Sequence, residues 1–346
     1  MRKVLLFFFL SVPFLSLAQE DRGFTFSGYL ETYYSYDFSQ PADHLRPDFL
    51  YNFKRHNEFS VNFALVQVSF QEDNIRSTLG LMLGNYSQFN LAEEPQWAQL
   101  VYEASIGFKL LDKLWLDVGV MPSHIGFESA IGADCWHLSR SLLAENSPYF
   151  LTGARLSYAW NEELDFTLWA TNGWQNVQRQ SRNQGIGLGF AANYRPVSNL
   201  EIHYANYYGN EGVNPTSELR FFNNFYTQYS PGKWGATIGF DYGVQSSVFS
   251  QINHWIGLTA SLRRDLGEKF KLAGRAEYYA DQQVIILDQG MRISGLSTNL
   301  DYAIHPRGLV RIELRQFFGD DSYFELPGAK FSYGNTALTT SFSISF

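Results

Sequence analysis

The sequence predicts an all-β fold, a transmembrane antiparallel β-barrel of about 16 strands, and three observations carry that expectation. Apolar and polar residues alternate with a period of two from Phe24 to the last residue. Aromatic residues make up 17% of the chain and charged residues only 17%, against about a quarter charged in an ordinary soluble domain. Connectors between the alternating segments are short and long by turns.

The chain opens with Arg2 and Lys3, an apolar run from Val4 to Leu15 and the small-residue stretch Ser16-Leu17-Ala18. That pattern reads as a signal peptide over 1–18, leaving 19–346 as the barrel. No later apolar run approaches the roughly 18 to 20 residues of a membrane helix. In 24–38 the even positions are mostly apolar and aromatic, whereas the odd ones carry Thr, Ser, Tyr, Glu and Asp. Successive side chains of a strand point to opposite faces, so this strand requires two different surroundings. The pattern recurs in Leu114-Leu116-Val118-Val120 and in Trp234-Ala236-Ile238-Phe240-Tyr242. In Val310-Ile312-Leu314 the interleaved residues are Arg311, Glu313 and Arg315, which a dry core would not accept.

The segments lie near 24–38, 57–70, 75–85, 99–109, 114–121, 150–160, 164–172, 185–195, 200–208, 219–229, 234–244, 253–265, 269–280, 291–304, 308–318 and 336–346. Segment 57–70 changes phase around Ala64 to Val66. Connectors after even-numbered strands are short, as in Gln71-Glu72-Asp73-Asn74 and His305-Pro306-Arg307, and the longest connector runs from Pro122 to Tyr149. Short periplasmic turns opposite long extracellular loops are the barrel arrangement. Hydrocarbon offers backbone N–H and C=O groups no partner, so the sheet must close on itself. At about 16 strands the bore is wide enough for water. Inward Gly187, Gly189, Gly235, Gly239, Ser297 and Asn299 fit such a bore. A soluble sandwich or propeller also alternates, but blade motifs are absent and aromatics gather at strand ends.

The net charge of -8 argues against nucleic acid as a partner. The one cysteine, Cys135, excludes an internal disulfide and a multi-cysteine metal site. No cofactor is implied.

Together with the leader and the alternation, the C-terminal Ser341-Phe342-Ser343-Ile344-Ser345-Phe346 resembles a Gram-negative outer-membrane porin. The stretches Gly119-Val120-Met121-Pro122-Ser123-His124-Ile125-Gly126-Phe127-Glu128, Ser147-Pro148-Tyr149-Phe150-Leu151-Thr152-Gly153-Ala154-Arg155 and Thr171-Asn172-Gly173-Trp174 are similar to the OmpL-like putative β-barrel porins. The resemblance covers nearly the whole chain after the leader. It implies an outer-membrane location and lipid partners, recognition of Phe346 by barrel-assembly machinery, a third external loop at 122–149 that narrows the bore, and a homo-oligomer that nothing in the sequence marks.

The candidate pore-lining residues follow from parity and from that loop. Inward positions of strands 12 to 15 hold Arg263, Lys271, Arg275, Arg311 and Arg315, and segment 150–160 adds Arg155. On a lipid face at mid-membrane such cations would cost about 2 to 4 kcal/mol. Interleaved Glu277, Asp301 and Glu313 allow plain ion pairs along the wall. The sharper expectation sets the arginines across a constriction from the acidic loop, with Glu128 and Asp134, so that a transverse field orients dipolar solutes. Glu31, Asp117, Glu103, Asp165 and Asp241 line other strands. Cys135 with His137, and Ser123 with His124, invite a nucleophile–base reading, yet neither has a third group. The expected function is passive diffusion of small hydrophilic solutes or ions, without enzymatic activity. The alternative is a plugged surface or secretion-associated barrel that binds a protein partner through its external loops.

Overall fold

The computed structural model describes residues 23–213, 215–246, 251–328 and 330–346, so the expected signal peptide lies outside the described residues. The barrel strands are β1 (Phe24–Asp37), β2 (Phe59–Gln71), β3 (Ile75–Leu83), β4 (Val101–Leu111), β5 (Leu114–Pro122), β6 (Phe150–Ala159), β7 (Leu164–Thr171) and β8 (Gly187–Val197). They continue with β9 (Leu200–Asn210), β10 (Leu219–Tyr229), β11 (Trp234–Ser246), β12 (Ile252–Asp265), β13 (Phe270–Asp281), β14 (Met291–His305), β15 (Gly308–Gly319) and β18 (Gly334–Ser345). Strands β16 (Phe324–Leu326) and β17 (Lys330–Ser332) form a separate hairpin. Every barrel strand is antiparallel to its neighbours, and β1 pairs with β18, so the sheet closes at 16 strands and no edge is left unpaired.

Parity sorts the side chains as the sequence implies. In β14 burial alternates strictly from Met291 to Asp301. Outward Leu79, Ile106, Leu168, Leu188, Ile238 and Leu314 are all exposed and give the barrel an apolar outer surface. The phase change in β2 has a local cause. Glu31 of β1 pairs with Phe63 and the next residue, Thr32, with Val61, so Asn62 is an extra residue. This β-bulge turns both Asn62 and Phe63 into buried positions and shifts parity for the rest of the strand.

Gly119 and Gly153 face each other across β5 and β6. A Cβ on Gly119 would stand 1.9 Å from the Ala104 carbonyl oxygen, and one on Gly153 2.0 Å from that of Ala170. Both positions therefore demand glycine, immediately below the point where the chain leaves β5.

The bore is not the polar, small-residue channel expected from parity. Short helices α1 (Asn85–Asn90) and α2 (Gln96–Gln99) lie between β3 and β4, and α3 (Leu142–Glu145) lies between β5 and β6. Inside the barrel Phe49, Ile125, Leu142, Tyr207, Phe222, Trp255 and Phe317 belong to one buried apolar cluster. Tyr29, Phe63, Tyr86, Tyr102, Tyr149 and Phe150 belong to a second. Inward aromatics thus meet apolar residues from the β1–β2 and β5–β6 connections, and the lumen holds the protein's core.

Candidate functional site

The connection between β5 and β6, residues 123–149, lies within the barrel and is fastened to its wall. Its neck is closed by the Ser123 N–H, which donates to the Tyr149 carbonyl at 2.8 Å. Within the segment the fully buried Arg140 donates to the carbonyls of Ser129 (2.6 Å), Leu138 (2.8 Å) and Ala130 (3.2 Å), folding two stretches onto one guanidinium. Glu128 accepts from the Ser141 hydroxyl and backbone N–H, while Ser141 caps α3 by accepting from the Ala144 N–H.

Carboxylates and guanidinia of β13 and β15, with the Asn299 amide of β14, hold the outer side of the segment. Glu313 accepts from the Ser139 N–H at 2.8 Å and from its hydroxyl, and Glu277 accepts from the Leu142 N–H at 2.8 Å. Arg275 donates to the Ser139 carbonyl at 2.9 Å, and Arg311 donates to those of Gly132 (2.8 Å) and Cys135 (2.9 Å). The wall charges also pair among themselves. Arg311 meets Asp301 at 2.7 Å, Arg315 meets Glu277 at 2.6 Å, and Arg275 lies 3.3 Å from Glu313 and 3.7 Å from Glu128. Buried charges are tolerable when paired and hydrogen-bonded, and here each is both.

This arrangement corrects the expected open constriction. Arg275, Arg311 and Arg315 are at most 3% exposed, because the segment sits directly on them. The carboxylates that neutralise them are mainly those of the wall. At Arg275, Arg311 and Arg315 no gap separates the two sides, so these three do not make a transverse field across water. Glu128 belongs to the contact, whereas Asp134 is exposed. It shares a cavity of about 240 Å³ with Arg263, Lys271, Lys269 and Arg307. Arg263 lies over the Trp136 ring at 4.8 Å, and Lys271 is exposed. Glu31 is fully buried and accepts from Asn62 Nδ2 at 2.9 Å. Asp117 receives both Arg76 (2.6 and 2.7 Å) and Arg155 (3.1 and 3.2 Å). Arg76 escaped the sequence reading, although it occupies the inward parity of β3 and its guanidinium covers the Trp115 ring at 4.3 Å.

Wall glycines are the seats of the segment's large side chains. A Cβ at Gly189 would stand 2.6 Å from the His124 ring, at Gly235 2.6 Å from Trp136, and at Gly239 2.9 Å from Phe127. The residues that suggested an empty bore are recesses filled by the chain itself.

Burial pushes the His124 imidazole down to about 4 and holds His137 well below the usual histidine range, where Arg275, Arg311 and Arg315 add repulsion. Burial likewise raises the Cys135 thiol. Cys135 Sγ donates to the Ser129 carbonyl, the Ser123 hydroxyl accepts from the Ile125 N–H, and His124 Nε2 bonds the Asn206 carbonyl. Both nucleophile–base candidates have their side chains engaged elsewhere or buried, and among the described residues no hydrogen bond joins Cys135 to His137 or Ser123 to His124.

Open space remains on the side opposite the arginine wall. Two cavities of about 270 Å³ lie between the segment and strands β4 to β10, and Ser123, Gly126 and Tyr226 line both. A family model described as "Putative beta-barrel porin-2, OmpL-like" matches residues 23–346. No curated protein sequence matches the chain. Among solved structures it is similar to an anion-selective porin from Comamonas acidovorans, with TM-score 0.63, 7% identity, and 93% of this chain and 99% of that one covered. It is also similar to the outer membrane channel DcaP of Acinetobacter baumannii, with TM-score 0.63, 9% identity, and 93% and 97% covered. The trimer form of OmpT, an outer membrane protein of Vibrio cholerae, gives TM-score 0.60, 10% identity, and 93% and 99% covered. At these identities the likeness is one of fold.

Proposed function

The chain belongs to the OmpL-like β-barrel porin-2 family and is an outer-membrane porin of a Gram-negative bacterium, and from that premise we propose that small hydrophilic solutes and ions diffuse through it past an internal constriction, segment 123–149. The observation that carries this reading is the uneven fastening of the segment. Its charge-assisted hydrogen bonds to the barrel wall go to β13 and β15, while its other side makes only the neutral contacts of His124 with Asn206 and Gly126 with Asn224 and borders two cavities that share Ser123, Gly126 and Tyr226. A solute then passes between the segment and the β4–β10 wall, where Arg155 and Arg76 share the single carboxylate of Asp117, while the Arg263–Lys271 cavity lies on the β12–β15 side of the segment. In this reading the protein performs no catalysis.

The outer face of exposed leucines and isoleucines contacts lipid, and the 1–18 leader is removed on export. Phe346 stays accessible, 61% exposed, with its backbone paired to Gly28, and is the residue offered to assembly machinery. Trimeric association is proposed from the similarity in fold to the trimer form of Vibrio cholerae OmpT. The test is conductance of the folded protein in planar bilayers. Steady steps that grow when Ser139→Ala and Glu313→Gln loosen the segment are expected, and absence of any step overturns the reading.

A further inference from the structure

One of the two cavities opposite the arginine wall is lined by polar groups that the protein leaves unsatisfied. It measures about 270 Å³ and is bounded by β6 to β10 and by Ser123, His124 and Gly126 of the internal segment. Four of its residues carry a buried polar atom with no partner in the protein: Thr167 Oγ1, Trp169 Nε1, His124 Nδ1 and His203 Nε2. A buried polar group without a partner costs about 1–3 kcal/mol, and native proteins hold few. Four around one cavity mark a place where a ligand completes the bonding.

The bonds already made fix what each atom offers. His124 Nε2 lies 2.8 Å from the Asn206 backbone carbonyl, which can only accept, so the proton is on Nε2 and Nδ1 is a bare acceptor. Asn193 Nδ2 donates to Asp165 at 2.7 Å, which turns the amide oxygen toward His203 Nδ1. Nδ1 must then carry the proton, and His203 Nε2 is a second bare acceptor. The indole N–H of Trp169 can only donate, and the Thr167 hydroxyl does either. The rings are held in place, His124 stacked on Trp169 at 5.5 Å and His203 on Tyr226 at 4.6 Å, so the set is preorganised.

Each charged group nearby already has a polar partner, and Arg155 shares its carboxylate with Arg76. Arg155 is bound to Asp117, Arg195 to Asp165 at 2.6 Å, and Glu201 accepts from the Tyr226 hydroxyl at 3.0 Å. An oxyanion, which only accepts, would meet two bare imidazole lone pairs; an ammonium, which only donates, would meet the indole N–H. A hydroxyl group both donates and accepts, and several on one small molecule match all four atoms. We infer that this cavity is a binding subsite for a neutral polyhydroxylated solute of monosaccharide size. The inference rests on the porin reading and names a solute class for it.

The test uses D-glucose as probe and sodium phosphate as comparison. Folded protein in planar bilayers should lose potassium chloride current saturably with glucose and not with phosphate. Trp169→Phe, which keeps the ring, and the isosteric Thr167→Val should each weaken the half-saturating glucose concentration about tenfold, with folding checked by heat-modifiable gel mobility. If one variant fails to fold, the other carries the comparison. Normal channels without a saturable glucose effect overturn the subsite and leave the porin reading intact, as does phosphate acting as strongly as glucose. If no channels form, the porin reading fails, and titration calorimetry of glucose into the detergent-solubilised barrel decides the subsite. Saturable heat lost in the variants supports it, and no heat overturns it.

Discussion

Removing Arg311 should free the stretch of the internal segment that it anchors. Its guanidinium donates to the carbonyls of Gly132 and Cys135 and to both oxygens of Asp301, all within 3.0 Å and all buried. Bonds to a charged group contribute about 1.5–3 kcal/mol each, so the two that reach the segment hold it by about 3–6 kcal/mol. At about 1.4 kcal/mol per factor of ten, even the lower figure shifts the seated-to-released ratio about a hundredfold. A single Arg311→Met change would also strand Asp301 as an unpaired buried charge, which costs about 3–5 kcal/mol and confuses release with misfolding. The informative variant is therefore Arg311→Met with Asp301→Asn, which removes the clamp and the stranded charge together. Two readouts are expected to move: larger, noisier conductance steps in planar bilayers, and modification of Cys135 by a thiol reagent that leaves the unaltered protein untouched. Wild-type conductance with a still protected Cys135 would refute the clamp.

Three further outcomes follow from the same geometry. Gly239→Leu fills the seat of Phe127 and Leu143, so the segment should be displaced and single-channel conductance should rise, with the barrel still heat-modifiable on gels. Gly119→Ala puts a methyl group 1.9 Å from the Ala104 carbonyl oxygen, and refolding into detergent should fail to give the fast-migrating folded band. His124 and His137 are both depressed by burial, so the unfolded chain binds more protons and stability falls with acidification. For His124 the loss runs from the ordinary value near 6.5 down to about 4, and conductance should rise across that window. His124→Gln and His137→Gln together should flatten the pH profile.

What the sequence revealed and what it hid divide along a physical line. Parity is local: each strand reports by its own alternation that it separates two surroundings, and β14 or β15 can be read without reference to any other segment. Connector lengths are equally local, and so the strand order and closure were legible. Even the irregularity near Ala64 was visible, although its cause, the extra Asn62 opposite Glu31 and Thr32, required the partner strand. The filling of the lumen is a matching of residues far apart in the chain. Arg311 and the carbonyl of Gly132 are 179 positions apart, and no window on the sequence contains both.

The inward glycines show how a correct facing assignment can still mislead about contents. Placed on the lumen side by parity, Gly189, Gly235 and Gly239 leave room for water when nothing opposes them, as a missing side chain does. A recess in a protein wall is also the shape that accepts a ring, and the same chain supplies His124, Trp136 and Phe127 to fill these three. The distinguishing signal was in the connector. A solvated surface flap has no need of Ile125, Phe127, Trp136, Leu138, Leu142 and Leu143, whose apolar surface would cost about 25 cal/mol per Å² in water. An apolar connector inside a wall with inward glycines on β8 and β11 and arginines on β13 and β15 calls for burial of the former against the latter, with the arginines taking carbonyls that the segment's own backbone leaves unbonded. The same logic supports the proposed passage: along β6 to β10 the wall carries Arg155, Asn193 and Glu201, the segment contributes no charged side chain to that cavity, and the polar atoms left unbonded there fit the proposed solute.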